Sequence, residues 1–215
     1  MPAGTDIRSR FEALWGKTID ANGAAPAWRA LDAGYSEPQR AYHNWSHIRA
    51  MLDGLDAARG MPEFDGVDFD EVELAIFFHD AIYDPRAKDN EEKSAALFRD
   101  MCADGSPDQA GDQRVAKMIL ATATHAPNAD LATRLLLDLD LRVLGGASEQ
   151  YSAYARAVRA EYSFVPYQAW RDGRAAVLRR FLERDRIFQT AHFSHLYEAR
   201  ARKNIAAEVG ALARQ

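Results

Sequence analysis

Apolar residues recur along this chain at helical spacing, and alternating apolar/polar runs closed by hairpin turns are nearly absent. Over residues 5–17, Ile7, Phe11, Leu14 and Trp15 fall on one stripe. Over 44–58, Ile48, Met51, Leu52 and Leu55 do the same. Residues 69–83, FDEVELAIFFHDAIY, are apolar on nearly every side after Glu73, which predicts a buried central helix. The stripe returns over 90–102 through Ala95, Leu97, Phe98 and Met101, and over 113–124 through Val115, Met118, Ile119 and Thr122. A leucine-rich helix is predicted over 130–144, ended by Gly145-Gly146. Three more follow at 148–164, 167–184 and 190–212. Breakers sit at Pro62, Asp84-Pro85, 105–107, Pro127-Asn128, Gly145-Gly146 and Pro166, and none opens into a linker, repeat or low-complexity tract. The fold class expected is all-α, one domain over 1–215, with the last helices (148–212) packed on the rest.

Composition narrows the class. The chain has 215 residues with 47% hydrophobic and 27% charged side chains, enough for a sizeable core and too apolar for disorder. One cysteine, Cys102, excludes an internal disulfide framework and fits a reducing cytoplasm. Between Met101 and Ala103, with only Arg99 as a nearby cation, it reads as inert. The N-terminus carries Asp6, Arg8, Arg10 and Glu12 and no apolar core, unlike a secretory signal. No apolar run approaches the roughly 20 residues a membrane helix needs. A soluble cytoplasmic protein is expected, with no membrane partner.

The net charge of −5 is unevenly spread. Residues 1–150 hold 15 Lys/Arg against 26 Asp/Glu, and residues 151–215 hold 12 against 6. The acidic segment argues against a nucleic-acid partner, which usually needs a basic face. The basic segment could take an anion, although two segments whose charges offset explain it as well.

The chemistry-bearing residues sit in unexpectedly apolar windows. Asp80 lies within Ala75–Ile82, where a carboxylate is costly unless a charge or metal partners it, and His79 precedes it. On a helix the two would point about 100° apart, so one ion could take both only from a crevice between them. A hydrogen-bonded His-Asp pair inside a core would look the same. His43 and His47 are four apart and face the same way if their stretch is helical. They fit a metal pair, or a ligand beside a proton donor, or two half-exposed imidazoles. Asp138 and Asp140 repeat the oddity within a leucine-rich helix, about 200° apart, so only one can face a given site. His125 falls seven residues after Met118 on the apolar stripe and is expected to point inward. His192 and His195 have no partner cluster and read as ordinary helix residues, and Trp15, Trp28, Trp45 and Trp170 as packing. Two imidazoles and two carboxylates suit Mn, Fe, Co, Ni or Zn, with Mg less natural.

The order H…HD…D across an all-helical chain resembles the HD superfamily of metal-dependent phosphohydrolases. Residues 42–47, Tyr-His-Asn-x-x-His, are similar to the start of the metal site in cyclic-nucleotide phosphodiesterases. The pieces most like a small bacterial branch of predicted HD phosphohydrolases are residues 40–44, 78–84, 89–95, Thr124-His125, 138–141 and 159–162. The resemblance implies a metal-site core over about residues 40–145, with His47, His79, Asp80 and Asp140 as ligands. Asp140 is preferred over Asp138 because it begins an Asp-Leu step. Asp80 would also orient the nucleophilic water, and His43 would protonate the leaving oxygen.

Glu91 and Glu92 would face the substrate or back up the site, although an acidic first turn complementing a helix dipole explains them nearly as well. Arg40, Lys88, Arg159 and Arg174 are the candidate phosphate cations, and His125 and Asp138 line or support the site. The implied activity is hydrolysis of a small phosphoester, with a nucleotide among the candidate substrates, by metal-activated water. One divalent metal would be tightly bound, a second being uncertain because His125 is the one middle histidine. The rival readings are a metal-binding regulatory module without turnover and, on the same scaffold, a di-iron oxygenase. A homo-oligomer is left open.

Overall fold

The computed structural model describes residues 6–102 and 107–214. The helix start expected at Thr5 and most of the breaker at 105–107 lie outside those residues. Among the described residues there are ten α-helices, two short 3-10 turns and no strand: an all-α fold. The helices are α1 (Ile7–Thr18), α2 (Ala24–Tyr35), α3 (Trp45–Ala58), α4 (Phe69–Phe78), α5 (Asn90–Cys102), α6 (Gln109–Ala121), α7 (Leu131–Leu141), α8 (Ser148–Glu161), α9 (Tyr167–Leu182) and α10 (Ala191–Arg214). None among the described residues is long and apolar enough to cross a membrane. The chain divides into two compact units, Met1–Leu136 and Leu137–Gln215, with the boundary inside α7.

In the first unit α4 is the hub, packed against α1, α3, α5 and α6. Asp68 caps its start by accepting from the backbone N–H groups of Asp70 and Glu71 at 3.0 and 3.2 Å. From Val72 to Phe78 every residue of α4 is buried. Its rings join an aromatic core. Phe77 meets Phe11 edge-on at 5.1 Å and Phe78 meets Phe98 edge-on at 5.1 Å. Each such ring contributes about 2 kcal/mol on burial. Glu73 is buried too, although the periodicity marks it only as the polar limit of the helix. It is held by Arg10 at 2.7 Å and Arg59 at 2.7 Å, which supply the charge partners that a buried carboxylate needs.

Helix α2 is not predicted by the sequence reading. Its buried stripe of Ala24, Ala27, Trp28, Leu31 and Tyr35 has helical spacing. Pro26 within its first turn and Gly34 near its end obscure it, yet proline is tolerated there because first-turn N–H groups have no partner to lose.

The second unit joins α8, α9 and α10 to a 3-10 turn at Arg142–Gly145. The helix expected over 130–144 stops at Leu141 and passes straight into this 3-10 turn, which ends at Gly145. A Cβ at Gly145 would lie 2.5 Å from the Tyr197 Cβ and 2.7 Å from the Tyr197 carbonyl, so only glycine admits α10 this closely. Within the unit Arg174 is buried against Glu208 at 2.8 Å, and Tyr151 donates to Glu208 at 2.6 Å.

Candidate metal centre

The first unit brings three of the expected ligands together. His47 lies in the first turn of α3, and Asn44 caps that helix by accepting from Ser46 N–H at 2.9 Å. His79 follows the last residue of α4 with helical dihedrals, and its N–H still donates to the Ala75 carbonyl at 2.9 Å. Asp80 stands one residue further on, in the turn.

The helix expected to run to residue 83 therefore ends at Phe78. Groups from outside it hold this end of the chain: the Tyr35 hydroxyl donates to the Phe77 carbonyl at 2.9 Å, and Ser94 brackets Ile82, accepting from its N–H at 3.0 Å and donating to its carbonyl at 3.3 Å. Freed from the helix, Asp80 turns its Oδ2 to 3.1 Å from His79 Nε2. The crevice demanded by the 100° separation is not needed.

The donor atoms form a tight triangle. His47 Nε2 lies 3.2 Å from His79 Nε2 and 3.8 Å from Asp80 Oδ2, and the third side is the 3.1 Å contact. A circle through three points with those separations has a radius of about 2.0 Å. That matches the ~2.0–2.1 Å at which imidazole nitrogen and carboxylate oxygen bind a first-row divalent ion. The tautomer agrees. His79 Nδ1 faces the Ile76 carbonyl at 2.9 Å, an acceptor only, so Nδ1 carries the hydrogen and Nε2 keeps its lone pair. Both imidazoles are buried, while the Asp80 side chain keeps 15% of its surface exposed, which leaves one side of the cluster open. The residues present thus fit a divalent transition ion. Among the described residues this is the one such group of three.

His43 is not helical, because α3 starts two residues later, so the shared face expected from i, i+4 spacing does not arise that way. Tertiary packing still places it beside the cluster, its ring centroid 6.0 Å from that of His47. Tyr83 stacks on it at 4.2 Å with 29° between the planes.

Arg40 is buried and held by backbone and a carboxylate. Its Nη1 donates to the Asp80 carbonyl at 2.6 Å, its Nη2 to the Ala81 carbonyl at 3.0 Å and its Nε to Glu37 at 2.8 Å. Asn44 Nδ2 donates back to the Arg40 carbonyl at 3.0 Å. Asn90 and Ser94 serve the loop after Asp80: Asn90 accepts from Asp84 N–H at 3.0 Å and donates to its carbonyl at 2.9 Å. Asn44, Asn90, Ser94 and Tyr83 carry no chemistry that spacing alone could flag. Their signal is the local pattern of loop residues around HD.

The other candidates belong to other elements. Glu91 and Glu92 sit in the first turn of α5, half-buried and exposed, and Lys88 is exposed on the loop before it. His125 does not continue the α6 stripe. That helix ends at Ala121, and His125 occupies a left-handed turn at φ 49°, its N–H on the Ala121 carbonyl. Arg159 donates to the carbonyls of Tyr162 and Val165 at 2.6 and 3.2 Å, and Arg174 is paired with Glu208. Both are thereby engaged within the second unit. So is Asp138, fully buried, which accepts from Gln189 N–H at 2.7 Å, Thr190 N–H at 2.8 Å and the Thr190 hydroxyl at 2.7 Å, just before α10 begins. Asp140 is half-buried in the last turn of α7. Burial, and then Asp112, push the Cys102 thiol well above its usual range, so it stays protonated near neutrality.

In comparisons with known proteins, no family model, no curated protein and no solved structure matches the chain.

Proposed function

We propose that this chain is a metal-dependent hydrolase of small phosphoesters that resembles the HD superfamily. The observation that carries the reading is the triangle of His47 Nε2, His79 Nε2 and Asp80 Oδ2, with sides of 3.1 to 3.8 Å, two buried imidazoles beside a partly exposed carboxylate. These three residues would hold the ion. A divalent Mn, Fe, Co, Ni or Zn ion there supplies Lewis acidity, polarising a phosphoryl oxygen and lowering the pKa of water toward about 7.

The remaining chemistry belongs to the chain. The partly exposed Asp80 carboxylate accepts a hydrogen bond from the attacking water and aims it at phosphorus. As the new P–O bond forms and the old one breaks, the water's proton passes to the Asp80 carboxylate and on to solvent, and the His43 imidazolium gives its proton to the leaving oxygen. That transfer is worth about 10²–10⁴-fold where the leaving group is a poor alkoxide. Tyr83, stacked on His43, keeps the ring from swinging away.

The test is a phosphate-release and diester-cleavage panel on metal-stripped protein reloaded with each of the five ions and with Mg, beside Asp80→Ala. Metal-dependent turnover that disappears in Asp80→Ala, with helix content unchanged, is expected. Stoichiometric metal binding without turnover on any ester would replace the hydrolase by a metal-binding regulatory module.

A further inference from the structure

The residues around the cluster single out Arg40. A guanidinium near the centre invites a phosphate-binding role, but the groups that this one holds belong to the chain itself. Its side chain is only 2% exposed. Two of its nitrogens are committed to the carbonyls of Asp80 and Ala81 at 2.6 and 3.0 Å, and the first makes a longer 3.4 Å contact with the His43 carbonyl. Two aromatic rings lie close to it, Tyr35 at 5.4 Å and Tyr83 at 5.6 Å from the guanidinium carbon. One planar group therefore touches the backbone of the turn that carries Asp80, the backbone of the loop that carries His43, and the ring that stacks on His43.

The Asp80 turn lies 40 residues beyond Arg40 in sequence, and the two segments share no helix. The peptide carbonyls of a chain leaving a helix have no partner of their own. An arginine satisfies several with one rigid fork, where lysine offers a point charge. The angle of the Asp80 peptide sets where its carboxylate falls relative to the two imidazoles.

We infer that Arg40 is the positioning residue of this centre: it sets the affinity and coordination geometry of the ion by locking the Asp80 turn to the His43 loop, without touching ion or substrate. The inference rests on the metal-centre reading above. Outer groups that orient ligands typically matter by about 10–100-fold in metal affinity.

The probe is Co²⁺, titrated into metal-stripped wild type, Arg40→Lys, Arg40→Gln and Glu37→Ala, with dissociation constants and the visible d–d spectrum as readouts. Arg40→Gln should bind about 10–100-fold more weakly with an altered spectrum, since its Asp80 is free to move. Arg40→Lys should recover only part of the loss, because one ammonium cannot serve both carbonyls. Glu37→Ala removes an exposed partner of the Arg40 Nε and should weaken binding a few-fold. It decides the matter if Arg40→Gln does not fold. A protein lacking that carboxylate that binds Co²⁺ as wild type does, or an Arg40→Gln with wild-type affinity and spectrum, overturns the inference. Wild type that binds no Co²⁺ overturns the metal centre itself, a distinguishable failure.

Discussion

At the scale of single residues, Asp138 of α7 does its work inside the second unit. Asp138 is buried and accepts three hydrogen bonds from the chain entering α10, so both oxygens are in use and its charge faces that helix's N-terminus. Asp138→Asn should turn one acceptor into a donor facing donors and lower stability by about 2–3 kcal/mol, read as a fall in the urea midpoint. An unchanged midpoint would show that these bonds do not hold the chain entering α10. His43→Ala, in turn, should keep the metal and lose most of its rate on esters with poor leaving groups while sparing activated ones. Equal loss on both would contradict a proton-donating His43. The residue types of the site were legible in the sequence because a carboxylate or imidazole in an apolar window needs a partner. Which partner was not legible, since Asp138 and Asp80 look alike by that test.

Among elements, the helices were legible because burying one stripe imposes a period, and eight of the nine expected ones recur with ends shifted by no more than four residues. The ninth, over 69–83, shows why ends matter. It stops five residues early, where Arg40 and Ser94 capture groups beyond Phe78 and Tyr35 takes the Phe77 carbonyl, and that stop is what lets Asp80 reach His79. Helix α2 supplies the surface on which the turn rests. A Cβ on Gly34 would lie 2.5 Å from the Ala81 carbonyl, a backbone atom that cannot step aside alone. Gly34→Ala is therefore expected to displace the Asp80–Ala81 turn, costing about 1–3 kcal/mol in urea unfolding and weakening Co²⁺ binding together. Wild-type values for both would show that the turn is not held by this contact.

For the whole molecule, the ligands come from separate stretches of the first unit, so an ion would bind the folded chain and not the unfolded one. At a free metal concentration a hundredfold above the dissociation constant, the gain in stability should be about 2.7 kcal/mol, reversed by chelator and absent in Asp80→Ala. An unfolding midpoint indifferent to metal would exclude the centre. Periodicity and residue type alone were enough for the all-α class and for the buried α4, and they marked His47, His79 and Asp80, because a stripe and a costly burial are written locally. The ending of α4, the lock at Arg40 and the stacking of Tyr83 on His43 came only with packing. Each depends on groups distant in sequence competing for the same few backbone carbonyls and ring faces, and no local pattern records which of them wins.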